Sequence, residues 1–202
     1  MISGWKKISE GAMLRNWALA EVATVRRQRY LDGRLPNDLI RKIRSGHFDF
    51  TDEEYSHLVE MIKSNRSDLL AGLLGLDFEW YEGKLPIEAL KNMEMMNWPP
   101  FVNLAGSRKL IDLVLSFKHG KMPPNHNEFA ENLERIRADF KLENMLGKPI
   151  VLIRSKESPY VLVEGFTRLS ALLLNVLEGK EYGEELPIIL GVSQRLSEWE
   201  YA

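Results

Sequence analysis

The 202 residues include no cysteine. That removes disulfides, thiolate zinc sites, iron–sulfur clusters and cysteine nucleophiles together. No stretch approaches the roughly 20 consecutive apolar residues that a membrane span requires. The opening segment, MISGWKKISEGAML, carries lysines but no continuous apolar core behind them, so no signal peptide is expected. Charge of one sign is also lacking. The 27 Lys and Arg oppose 29 Asp and Glu, for a formal charge of -2. Such a balance excludes a protein that coats nucleic acid over its whole surface and leaves room only for a local basic patch. The 14 Gly and 9 Pro are too few for a low-complexity chain. Together these absences predict a globular, cytoplasmic protein without a membrane segment.

What is present begins as helices. Leu14, Trp17, Ala18, Val22 and Val25 share one stripe of a helix over 12–31, which Asp32-Gly33 closes. Thr51 and Glu54 stand at capping-box spacing before a second helix over 52–63, whose apolar face is Tyr55, Leu58, Val59 and Ile62. Ser67-Asp68 starts the short apolar run LLAGLLG. These helices are too short to stand alone in water. Their stripes must bury against the rest of the chain or against a second copy, as in a homodimer. Residues 1–80 are therefore read as a helical N-terminal region.

The period changes in residues 81–202. LPIEAL (85–90) reads as a short strand. Ser107 is placed to cap a helix that buries Leu110, Ile111, Val114 and Leu115, ended by His119-Gly120. Asn125 and Glu128 have capping-box spacing before a helical stripe of Phe129, Leu133, Ile136 and Phe140. PIVLI (149–153), YVLVE (160–164) and ELPIILGV (185–192) are strand-like runs. The second runs straight through Gly165, Phe166, Thr167 and Arg168 into an apolar helix over 168–178.

That strand–EGFTR–helix segment carries the chemistry. The first turn of a helix offers amide N–H groups without internal partners, at the positive end of the helix dipole, and so binds anions. Gly165 permits close approach of a ligand to the backbone. Thr167 is placed to cap the helix or to bond a phosphate. Arg168 can reach a phosphate with a two-pronged fork, and Glu164 can accept a proton or hold a metal ion. Strand–glycine–helix turns without any ligand are nevertheless common.

Three other features have plainer readings. The tract Val25-Arg26-Arg27-Gln28-Arg29 suits cations at a helix C-terminus better than a nucleic-acid contact. His119 and His126 read as polar loop residues rather than metal ligands. The soft, aromatic stretch Met93, Met95, Met96, Trp98, Pro99, Pro100, Phe101 suits core filling, with a cover for a nucleotide base as the alternative. Trp199 and Tyr201 either pack back on the sheet or anchor a partner strand.

The run NEFAENLERIRADF…KPIVLIRSKESPYVLVEGFTRLSALL…LPIILGV resembles the ParB/sulfiredoxin-like superfamily. It shares that superfamily's order of a helix, a strand, a hairpin, a strand ending in an acid, glycine and arginine, an apolar helix and a final strand. The resemblance implies an α+β fold in which a helical N-terminal region packs on a small mixed sheet of 149–153, 160–164 and 186–191. It also implies a phosphate site at Gly165, Phe166, Thr167 and Arg168, a nucleotide such as ATP or CTP, and Mg2+ near Glu164. The sulfiredoxin cysteine has no counterpart, so sulfinic-acid reduction by that mechanism is excluded. No DNA-reading domain like that of the partition proteins is expected after the last strand. The free-serine kinases carry an aspartate and two histidines where Glu164, Phe166 and Thr167 stand. Phosphate binding is thus implied more strongly than NTP hydrolysis or phosphotransfer to a small molecule. The alternative is a non-catalytic accessory protein, DNA-associated or bound to a protein partner, with a degenerate pocket.

Overall fold

The computed structural model describes residues 4–23, 31–121 and 127–202, with backbone alone at 127 and 128. Val25, the arginine tract, Asn125 and His126 lie outside the described residues. The fold is α+β, built on one mixed sheet of six strands. In chain order the elements are β1 (Lys6–Ile8), α1 (Glu10–Ala23), α2 (Asn37–Arg44), α3 (Asp52–Asn65), α4 (Ser67–Leu74), β2 (Glu79–Pro86), β3 (Glu94–Met95), α5 (Pro99–Ala105), α6 (Leu110–Lys118), α7 (Asn127–Ala138), β4 (Ile150–Ile153), β5 (Val161–Glu164), α8 (Phe166–Leu177) and β6 (Glu185–Val192). Short 3-10 turns cover Ile87–Asn92, Leu142–Asn144 and Leu196–Glu198. Among the described residues no helix is long and apolar enough to cross a membrane.

The sheet runs β1-β2-β6-β4-β5-β3. β6 pairs antiparallel with β2 and parallel with β4, so the last of these six strands in chain order lies at the centre. Side chains of a strand alternate between faces, and the two central apolar runs obey this. Ile150 and Leu152 of β4, Val161 and Val163 of β5, and Ile189 of β6 face a core formed with α1 to α4. Val151, Ile153, Leu162, Ile188 and Leu190 face the opposite core, formed with α6, α7 and α8. The sheet is therefore covered on both faces, which explains why β4 and β5 read as continuous hydrophobic runs rather than alternating ones.

The boundary expected at residue 80 falls inside β2, and β1 draws the N-terminal segment into the sheet. The LPIEAL strand needs correction. Leu85 and Pro86 end β2, whereas Ile87 to Leu90 coil into a 3-10 turn. β2 begins six residues earlier, at Glu79, in the charged run EWYEGK, whose outward positions hid the strand. On α6 the buried face is Leu110, Leu113, Val114 and Phe117, while Leu115 is exposed. The helix starts behind Lys109 rather than Ser107, which rotates the expected stripe. Ser107 Oγ instead accepts the Lys109 N–H at 3.0 Å and bonds Asp112. The capping box of α3 forms as expected, Thr51 Oγ1 accepting from the Glu54 N–H and the Glu54 carboxylate from the Thr51 N–H. Met93, Met95 and Met96 are core, and Trp199 is buried against the N-terminal layer.

Candidate functional site

β5 ends at Glu164 and the chain turns through Gly165 into α8. Gly165 has φ +102°, a left-handed conformation that side chains rarely adopt, and a Cβ there would lie 2.9 Å from Pro149 Cβ. Glycine is thus required twice over, by the turn and by the close neighbour. Gly165 is itself the residue that precedes the helix, and no side chain caps it. Thr167 sits one residue inside α8, at its second position, and does not cap. The helix begins at Phe166, two residues before the expected start. Its first amide N–H groups consequently have no side-chain acceptor among the described residues, and the turn that carries them lines a cleft.

The cleft has a volume of about 210 Å³. Its floor is the segment Val163 to Arg168. One wall comes from the N-terminal layer: Trp17 and Glu21 of α1, then Arg66 and Leu69. The other comes from Phe129, Asn132 and Ile136 of α7, with Met96, Trp98 and Phe101 across the mouth. The aromatic rings are in mutual contact, Phe101 with Phe129 at 5.2 Å and with Phe166 at 5.7 Å between centroids. All five motif residues reach this one cleft. So do Trp98 and Phe101, the alternative cover for a base.

Arg168 does not project freely. Its guanidinium donates to the Leu146 carbonyl at 2.7 Å, to the Gly147 carbonyl and to the Glu164 carboxylate. It ties the 146–147 loop to the strand end, which makes it first a positioning residue. The Glu164 carboxyl is pushed above the ordinary carboxylate range by burial. Arg168 works against that shift, Glu21 adds to it, and Arg66 and the Gly165 N–H oppose it. On the facing wall Arg66 pairs with Glu21 at 3.2 Å, and the Arg66 Nε is buried without a hydrogen-bond partner. Two carboxylates and two guanidiniums therefore share the cleft, and one guanidinium donor is unspent.

No family model, curated protein or solved structure matches this chain. The site must speak for itself. Glu164 does not suit a resident magnesium ion, because one of its oxygens is held by Arg168 and burial raises its pKa, which disfavours the charged form a metal ion needs. Nor do three His, Asp or Glu side chains converge anywhere among the described residues. What the cleft offers is a set of polar groups beside an aromatic wall: the first turn of α8, Thr167 and the Arg66 guanidinium paired with Glu21.

Arg66 and Asn132 were not legible as site residues. Arg66 lies in a polar junction between two helices, and Asn132 in an ordinary amphipathic stripe. Both reach the cleft only through tertiary packing. The one available signal for Asn132 was a polar residue at a buried phase, three after Phe129 and four before Ile136.

Proposed function

We propose that this cleft binds a nucleoside phosphate, ATP or CTP being the first candidates, in a domain of ParB/sulfiredoxin-like kind. The observation that carries the proposal is the N-terminus of α8, without a side-chain cap, lining the same cleft as the Arg66 guanidinium. Helix dipole and free amides favour a phosphate there. Arg168 is held by two carbonyls and a carboxylate, whereas Arg66, held by Glu21 alone, is the cation with more capacity to turn to a phosphate. Magnesium enters as the counter-ion of a triphosphate rather than as an ion held by Glu164. Binding, rather than turnover, is what these residues support, because the single motif acid already serves Arg168.

Calorimetry with ATP, CTP and GTP, with and without magnesium, tests the proposal. Millimolar or tighter binding of at least one is expected, weakened severalfold in Arg66→Lys, which keeps the charge but loses the fork. Absence of binding for all three removes the nucleotide reading. The self-contained Glu164–Arg168 pair favours one competitor, an accessory protein with a degenerate pocket that associates with DNA or a protein partner. A gel-shift series over rising salt separates the two, since phosphate-backbone binding falls steeply with salt.

A further inference from the structure

Asn132 sits on the inner face of α7, 7% exposed, and lines the cleft. One atom of its amide lies 2.5 Å from Arg135 Nη2. A guanidinium can only donate, so that atom is the carbonyl oxygen. The Nδ2 group is left without a partner among the described residues. A neutral donor thus belongs to a residue that lines an aromatic cleft, between Phe129 one turn earlier and Ile136 one turn later. Water can satisfy it in the empty cleft, but a ligand that displaces the water must bring an acceptor of its own.

Size narrows the ligand further. Clefts that enclose drug-sized molecules run to about 300–1,000 Å³. At about 210 Å³ this one encloses a fragment, not a whole triphosphate. The fragment must be flat enough for the Phe101, Phe129 and Phe166 rings, and must carry a hydrogen-bond acceptor on its edge. It must also lie beside the anion end of α8. A nucleobase meets all three conditions, because flat rings stack on aromatic side chains and present ring-nitrogen or carbonyl acceptors.

We infer that Asn132 reads the acceptor edge of the base, with Nδ2 as donor and Arg135 fixing the orientation of the amide. The inference rests on the nucleotide reading above and goes on to name the residue that recognises the base. Inorganic tripolyphosphate, a triphosphate with no base, separates the two. The full chain should bind ATP or CTP more tightly than tripolyphosphate. Asn132→Ala should weaken the nucleotide on the order of tenfold, as loss of one buried hydrogen bond implies, and leave tripolyphosphate within about twofold. Equal weakening of both ligands, or of neither, overturns the assignment while the anion site stands. A wild-type chain that binds tripolyphosphate as well as any nucleotide also overturns it. Failure to bind either ligand removes the nucleotide reading and this inference together. Should Asn132→Ala fail to fold, saturation-transfer NMR on the wild-type chain decides. Base protons must receive saturation more strongly than ribose protons, and the reverse order refutes base burial.

Discussion

Arg168 shows how one side chain can serve two ends. Its side chain is only 13% exposed, and its partner Glu164 16%. Breaking a buried pair by removing one member costs about 3–5 kcal/mol, because the remaining charge is stranded. Arg168→Ala should therefore lower stability by an amount of that order in urea titrations, before any effect on ligands is considered. Glu164 adds a pH dependence. Burial raises its folded-state pKa above the value in the unfolded chain. Below the unfolded value both states hold the proton and the carboxyl costs nothing. As pH rises through the unfolded and then the folded value, the unfolded chain releases its proton first, and stability is lost. Glu164→Gln cannot titrate. The stability of the variant relative to wild type should therefore climb as pH rises above about 4.3, and level off once the folded carboxyl has ionised. A flat difference between pH 4 and 8 would show that the pair with Arg168 outweighs burial.

At the scale of elements, the motif is held by a clasp between α1 and the loop before β4. Asn16 Nδ2 donates to the Lys148 carbonyl at 2.8 Å, and the Lys148 N–H donates to Asn16 Oδ1 at 2.7 Å. Beside it Gly147, at φ +68°, lies so close to α1 that a Cβ would stand 2.5 Å from Ala20 Cβ and 2.6 Å from its backbone nitrogen. Gly147 also gives its carbonyl to Arg168. Gly147→Ala should cost more than the roughly 1–3 kcal/mol of a strained backbone conformation alone, since α1 must shift as well. Asn16→Ala, which orphans two polar backbone groups, should cost about 1–3 kcal/mol. Thermal melts of both variants check these values, and under the proposed function any nucleotide affinity should fall alongside. Here the limits of reading the chain become physical. β4, β5, β6 and α8 were legible because apolar runs and an apolar helix leave periodic traces. The EGFTR turn was legible because a glycine must stand where the backbone turns left-handed. Asn16 and Arg66 were not, because a polar side chain that bonds across 132 residues, as Asn16 does, or 45, as Arg66 does, leaves no local period. Thr167 misled for a related reason. Its spacing suited a cap, but Gly165 had already begun the helix.

For the whole molecule, the two-sided cover of the sheet means that neither half is expendable. Removing residues 1–80 would uncover Ile150, Leu152, Val161, Val163 and Ile189, strip β1 and one wall of the cleft, and cut β2. The 81–202 fragment should aggregate or bind a hydrophobic dye, and should bind no nucleotide. A monomeric, soluble 81–202 fragment would show that the sheet tolerates a bare face. The strand order carries a consequence in time as well as in space. β6, the last of the six sheet strands to leave the ribosome, is the one that β2 and β4 both await. Until it arrives, the nascent chain holds two unjoined half-sheets, each with an open edge. Joining β2 to β6 must close a loop of about a hundred residues, and such long-range closure is slow and prone to aggregation. A stalled chain that ends before Glu185 should therefore stay protease-sensitive along its whole length, and release of a few more residues should convert it abruptly. The cell would then meet this protein either finished or in need of a chaperone, with little in between.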